Sequence, residues 1–398
     1  MTNAGFDIAM HLTVSGTATF NSTAKNKGVV NGTCIFNATS ENYAAANVVG
    51  TCTFNTSAKN YGTVTGTTIF NNASTNESGG VVEGSCTFNL TSSNKAGATV
   101  TGATTFNSSS TCAGNVNGAC TFNTSSSLTS VGIVVGEVTV NNSAIISGNI
   151  SGANCSFFNT SALSSTGVIT LGAGYVYFEG TSACAGTVTA TAVIIQSGCS
   201  IASTALITVE GTITVGCQNS GRITGVGSTE MVASINAGTC STPVCLFNTG
   251  ATNNSSGVVT AATSCSFIGA TNDGVVTSPL VSFDDTSTNT GTVNSNDCKI
   301  NNNAGNSTGV IVGVGNFYGA TGTGIYADNV GGTVTGSSNS YWPATYPVGG
   351  SVTVSSNYFG YAFLKGESQI GVRGIVDTLA PLSVVSLGSI SSKIGLIA

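Results

Sequence analysis

A Phe-Asn dipeptide returns every 16 or 18 residues near the start of the chain, and this beat limits the fold more than any other feature. It falls at Phe20, Phe36, Phe54, Phe70, Phe88, Phe106 and Phe122, and Val140–Asn141 and Phe158–Asn159 extend the series. The apolar beat resumes at Phe247, Phe267, Phe283, Ile300 and Phe317. The gap between Phe158 and Phe247 has room for about five more units, and there β-branched runs such as TAVIIQ and ALITVEGTITV keep a looser rhythm. A fixed period sustained this long is the signature of a repeat architecture in which each unit buries its core only against its neighbours.

One unit reads V-x-G-x-C/T-x-F-N-x-S/T-x-x-N-x-G, as in VVGTCTFNTSAKN. Alternation with period two puts Val30, Cys34 and Phe36 on one face, and Val29, Asn31, Thr33 and Ile35 on the other. The glycine four residues before each Phe (Gly32, Gly50, Gly66, Gly84) marks a bend or a close backbone approach. The Asn-x-x-x-x-Asn-x-Gly half supplies residues expected to take left-handed backbone angles at a corner.

About 17 residues are too few for a strand-helix-strand unit and too many for one hairpin strand. The chain is therefore expected to be all-β, a single-stranded β-solenoid (parallel β-helix) of about 17 coils. A right-handed coil is expected. Stacking at ~4.8 Å per coil gives a rod of roughly 80 Å, with Phe and Val ladders inside and Asn ladders at the corners. The expected divisions are an N-terminal cap over 1–13, solenoid over 14–317 (regular at 14–160 and 245–317, looser at 161–244), and an aromatic C-terminal cap or docking segment over 318–398.

Composition removes several classes. Only 9 Lys or Arg and 15 Asp or Glu occur in 398 residues, with net charge −6, and no basic cluster offers duplex nucleic acid a landing site. Glycine is abundant but not at every third position, which excludes collagen. No apolar stretch is long enough for a membrane-spanning helix, so membrane insertion is not expected.

The cysteines follow the repeat. Cys34, Cys52, Cys86, Cys120, Cys245, Cys265 and Cys298 all stand two residues before the unit's Phe or Ile, where other coils carry Thr68, Thr104 or Val138. A position that accepts Cys, Thr or Val reads as a small inward filler, so free thiols are expected, in keeping with assembly in a reducing cytosol. Cys240 and Cys245 form no C-x-x-C pair, and His11 is the only histidine, so no metal or cofactor site is expected. The sequons at Asn21, Asn37, Asn55, Asn89, Asn107, Asn123 and Asn159 arise from the repeat itself. The only adjacent acidic pair, Asp284–Asp285, has no second acidic cluster in register, and it reads as a solvated turn rather than a hydrolytic site.

From Phe317 onward the beat is interrupted by NSYWPATYPVGG and SNYFGYAFLKGESQIGVRG. Tyr341, Trp342, Tyr346, Tyr358 and Phe359 form the densest set of anchoring aromatics, and they are the candidate residues for docking a partner. The N-terminal MTNAGFDIAMHLTV lacks the basic and long apolar regions of a secretory signal.

The T-F-N-x-S-x-N-x-G-x-V-x-G run resembles the short-repeat β-helix proteins of viral, phage and microbial surface fibres. That resemblance implies a structural or attachment role with no catalytic residues. The expected function is a non-enzymatic component of a virion or extracellular filament, located on its surface. It would contact other structural proteins, copies of itself, or a glycan or cell surface. A bacterial surface adhesin is one alternative. An ice-binding protein is another, with hydroxyl columns pairing Thr17 with Thr19, Thr51 with Thr53 and Ser85 with Thr87; Ile35, Ile69, Ala103, Ala119 and Glu137 break those columns.

Overall fold

Among the described residues each coil pairs only with the coils before and after it, and every pairing is parallel, as Cys34–Phe36 on Cys52–Phe54 illustrates. The computed structural model describes residues 12–300 throughout, with 2–4, 7–9, 304–306 and 308–313 and the strand backbones at 327–328, 333–336, 339–341, 345–346, 351–354, 357–359 and 370–372. Among these the fold is an all-β parallel solenoid without a helix.

One coil consists of three short strands, for example Val29–Asn31, Cys34–Phe36 and Glu41–Asn42. They build a first, a second and a third wall. The first two are joined through a glycine bend, and in coils such as Thr187–Ile195 and Val275–Asp284 they merge into one long strand. Strands Thr333–Gly336, Ser351–Val354 and Ile370–Val372 continue the first-wall ladder beyond residue 317.

Inward side chains form continuous columns. Six consecutive ring pairs from Phe20 to Phe122 stack at 4.6–5.0 Å with planes within 8° of parallel. The column then runs through Val140, Phe157, Phe178, Ile195, Val215, Met231, Phe247, Phe267 and Phe283 to Ile300. The five steps from Phe157 to Phe247 are the five looser units. A second column begins Val30, Val48, Val64, Val82 and backs the first wall.

The rung expected at Phe158 lies one residue earlier. Val140 pairs with Phe157, while the amide of Phe158 donates to the Val140 carbonyl at 2.8 Å, as Asn141 does to Phe122. Phe158 thus takes the place of the ladder asparagine, and Asn159 is displaced into the left-handed turn with φ 59°. The same shift turns Cys155 inward.

Spacings of 16 and 18 have a local cause. In the longer coils a two-residue turn, such as Ala44–Ala45 closed by Ala46 N–H to the Tyr43 carbonyl at 2.8 Å, precedes the next first-wall strand. In the shorter coils a glycine replaces it: a Cβ on Gly62 would strike the carbonyls of Tyr43 and Ala46.

The corner after each Phe differs from expectation. Neither Asn nor Gly of the repeat supplies its left-handed angle. The residue after the first Asn does so, at Ser22, Ala38, Thr56, Asn72, Leu90 and Ser108, with φ between 53° and 62°. The asparagines are held extended because their side chains are committed to ladders. Asn37 Nδ2 donates to Asn21 Oδ1, Asn55 to Asn37 and so on to Asn141, at 2.9–3.0 Å. Several sequon amides are among these donors.

A second, fully buried ladder runs in the opposite sense from Asn26 to Asn94, at 2.7–2.9 Å. It resumes from Asn219 to Asn289. Between them the same positions carry Cys112, Leu128, Ile146, Leu163, Cys184 and Ile201. Apolar residues fit there because a ladder interrupted as a block leaves few amides unpaired, and Asn94 Nδ2 at the break meets Cys112 Sγ at 3.8 Å.

Candidate functional site: an uncharged lateral wall

On the outward side of the first wall, two columns of side chains project from alternate positions of each strand. One runs through Val29, Asn47, Thr63, Val81, Thr99, Asn115 and Ile133; the other runs through Asn31, Val49, Thr65, Glu83, Thr101, Asn117 and Val135. From Thr99 to Leu206 and again from Thr239 to Val312 neither column holds a charged residue. Among charged residues between Asp7 and Lys299, only Glu83 and Arg222 stand on this wall.

Its apolar members are unusually exposed. Val49, Ile133, Val135 and Val312 each keep 40–46% of their surface in contact with solvent. The hydroxyls form a run as well: Thr170, Thr189, Thr208, Thr224 and Ser241 pair in consecutive coils, and Thr260 and Thr277 follow. This is the longest outward hydroxyl column among the described residues, and it lies on a different wall from the Thr17–Thr19 pattern. That pattern is interrupted, because Thr19, Thr53 and Thr87 alternate in register with Ile35 and Ile69.

The charges collect on the other walls. Lys25 pairs with Glu41 at 3.2 Å, Lys27 with Asp7 at 3.0 Å, and Lys299 with Asp297 at 3.5 Å. The Lys27 ammonium beside Asp7 holds that carboxyl below its ordinary value, and Glu41 raises the exposed Lys25. Asp285 sits in the left-handed turn after Phe283, with φ 57°, exposed to solvent. Its neighbour Asp284 faces Ile268 in the preceding coil, so stacking supplies no opposing carboxylate there.

All thirteen cysteines are free and buried. Eight occupy the expected filler column, which gains Cys155 because the register shifts at Phe157. Cys112 and Cys184 fill the inner Asn column, and Cys199 and Cys217 a column of small residues before the third wall. Cys240 replaces a valine-column residue, and its Sγ lies 3.3 Å from that of Cys245. Sequence spacing hid this contact, because the two residues belong to different walls folded together at the bend.

Burial pushes the Cys112, Cys184 and Cys217 thiols up to about 12 from an ordinary 9.0. The folded state therefore holds these protons more tightly than the unfolded chain does. Stability is expected to be fully present below the ordinary thiol value and to fall as pH rises from there toward about 12. Urea midpoints across that window check this, and a flat profile would contradict it.

Of the candidate docking aromatics, Tyr341 and Phe359 are partners in register on strands Asn339–Tyr341 and Asn357–Phe359. Tyr358 lies on the second of these strands and Tyr346 on Thr345–Tyr346. Their side chains lie outside the described residues, as do Trp342 and His11. No family model matches the chain, and no curated protein or solved structure matches it either.

Proposed function

We propose that this chain is a structural, non-enzymatic component of a virion or extracellular filament, a stiff rod that works by packing its first wall against a second copy. The observation that carries this reading is the near absence of charge along that wall, with exposed Val and Ile set among Thr and Asn. Two such columns over about 17 coils offer roughly 800 Å² per copy, one partner's share of a standard interface. Strands stacked in register present a repeating relief that a second copy can match along its length. Aromatic residues of the C-terminal segment then serve as attachment to other components of the particle.

Charge placed on the wall tests this. Val135→Glu, Thr170→Glu and Thr277→Glu together project outward and leave the core columns untouched. In sedimentation velocity the unaltered chain is expected to form multimers, and the triple variant to run as single rods with an unchanged circular-dichroism spectrum. Identical sedimentation of both as monomers would overturn the reading.

A second reading, binding to ice, is favoured by the hydroxyl run from Thr170 to Thr277. Assembly is preferred because the companion column mixes Val168, Thr187, Leu206, Arg222 and Thr239 and offers no regular partner lattice. Thermal hysteresis in the unaltered chain, lost in the triple variant without any change in sedimentation, would favour ice instead.

A further inference from the structure

Four polar side chains meet inside the solenoid core where the first and second walls join near Pro243. Cys240 comes from the first wall and Cys245 from the second, with sulfurs 3.3 Å apart and both residues at most 1% exposed. Thr242 Oγ1 lies 3.3 Å from Cys245 Sγ, 3.9 Å from Cys240 Sγ and 2.9 Å from Thr229 Oγ1. Both threonines are buried. Elsewhere in the filler column, stacked thiols such as Cys34 and Cys52 belong to successive coils, one strand spacing of ~4.8 Å apart. Here the two sulfurs belong to a single coil and are held together across its bend.

The geometry points to Cys240 and Cys245 as a dithiol that a small peroxide closes to a disulfide, stapling the first wall to the second. The sulfurs need to approach from 3.3 Å to ~2.0 Å for the bond to form. Their environments differ in the sense the chemistry requires. Hydrogen bonds from Cys240 and Thr242 lower Cys245, whereas Cys240 is raised by that same contact and by burial. Thr242 Oγ1 is also nearer the Cys245 sulfur, at 3.3 Å against 3.9 Å for Cys240, so Cys245 is assigned as the attacking thiolate. The Thr242 hydroxyl, within 3.1 Å of the Val244 carbonyl, is placed to turn toward the sulfur as its proton leaves.

The steps balance. The Cys245 thiolate attacks one oxygen of hydrogen peroxide, the O–O bond breaks, and the departing hydroxide takes up the released proton as water. Cys245 is then a sulfenic acid. Cys240 Sγ attacks that sulfur, the S–S bond forms, the S–OH bond breaks, and the hydroxide leaves with the Cys240 proton as a second water. Two thiols are oxidised to one disulfide and one peroxide is reduced to two waters.

The test treats the full chain with dilute hydrogen peroxide, then denatures it and alkylates the remaining thiols. Chymotryptic cleavage after Met231 and Leu246 isolates a peptide holding Cys240 and Cys245 and no other cysteine. That peptide is expected to lose two hydrogens and escape alkylation, while the other thiols are recovered. Thr242→Val should slow closure several-fold, because the hydroxyl beside the Cys245 sulfur is removed, and Thr242→Ser should restore it. Cys265→Ser should leave closure unchanged, with circular dichroism confirming that each variant folds. Full alkylation of both cysteines in the treated chain would overturn the proposal, as would a Cys245–Cys265 link between coils.

Discussion

A Phe88→Asp chain is expected to lose the β-sheet signature of the repeats, and Phe88→Ala to stay folded at a cost of about 3–5 kcal/mol. The Phe88 ring is fully buried and lies 4.7 Å from Phe70 and 4.8 Å from Phe106. Alanine removes one plate and leaves a gap that rings fixed in register cannot close. Aspartate adds a carboxylate inside a stack of apolar rings, with no cation beside it to pair with. Because each coil is stabilised only by its neighbours, the defect acts on both flanking coils together. Circular dichroism followed through urea denaturation reads both variants. A midpoint for Phe88→Asp close to that of the unaltered chain would show that the stack does not carry the fold.

Gly66→Val is expected to cost more than 3 kcal/mol, while Gly79→Asn should fall within about 1 kcal/mol of the unaltered chain. Gly66 forms the bend between first and second walls with φ +152°, a region that side chains with a Cβ avoid. An added Cβ there would sit 2.6 Å from the carbonyl oxygen of Gly50, the equivalent bend one coil earlier. Relief requires the coils to separate, which breaks ladder hydrogen bonds on both walls. Gly79 also has a positive φ, of 85°, but a Cβ there meets nothing within 4 Å, and Asn adopts left-handed angles readily. Equal urea midpoints for the two variants would show that close coil approach does not limit the bend.

What could be read in the sequence was whatever repeats with a physical cause. Phe, Val and Cys at alternate positions had to share a face, so the columns and the parallel stack followed from period and spacing alone. The rung at Phe157 was concealed because Phe158 carries the diagnostic Asn, and only coil pairing shows which of two adjacent rings faces inward. The left-handed corner was misassigned for a different reason. Asn tolerates that angle, yet an amide that can bond to the coils above and below is worth more in a ladder, so the strain falls on the residue after it. The uncharged wall was present in the sequence as the Val, Thr and Asn of each V-x-G segment. Its continuity emerged only once coils of 16 and 18 residues were aligned by their corner turns. The contact between Cys240 and Cys245 depends on a bend that no local pattern encodes.

Photo-crosslinking from Thr170 tests the account of this rod most directly. A photoreactive phenylalanine analogue at that exposed position faces outward from the middle of the uncharged wall. In the assembled state, cross-links are predicted to join it to first-wall residues of a second copy, such as Val135, Thr208 or Thr277. Cross-links confined to third-wall residues such as Glu41 or Lys59, or none under conditions where multimers form, would contradict assembly through this wall.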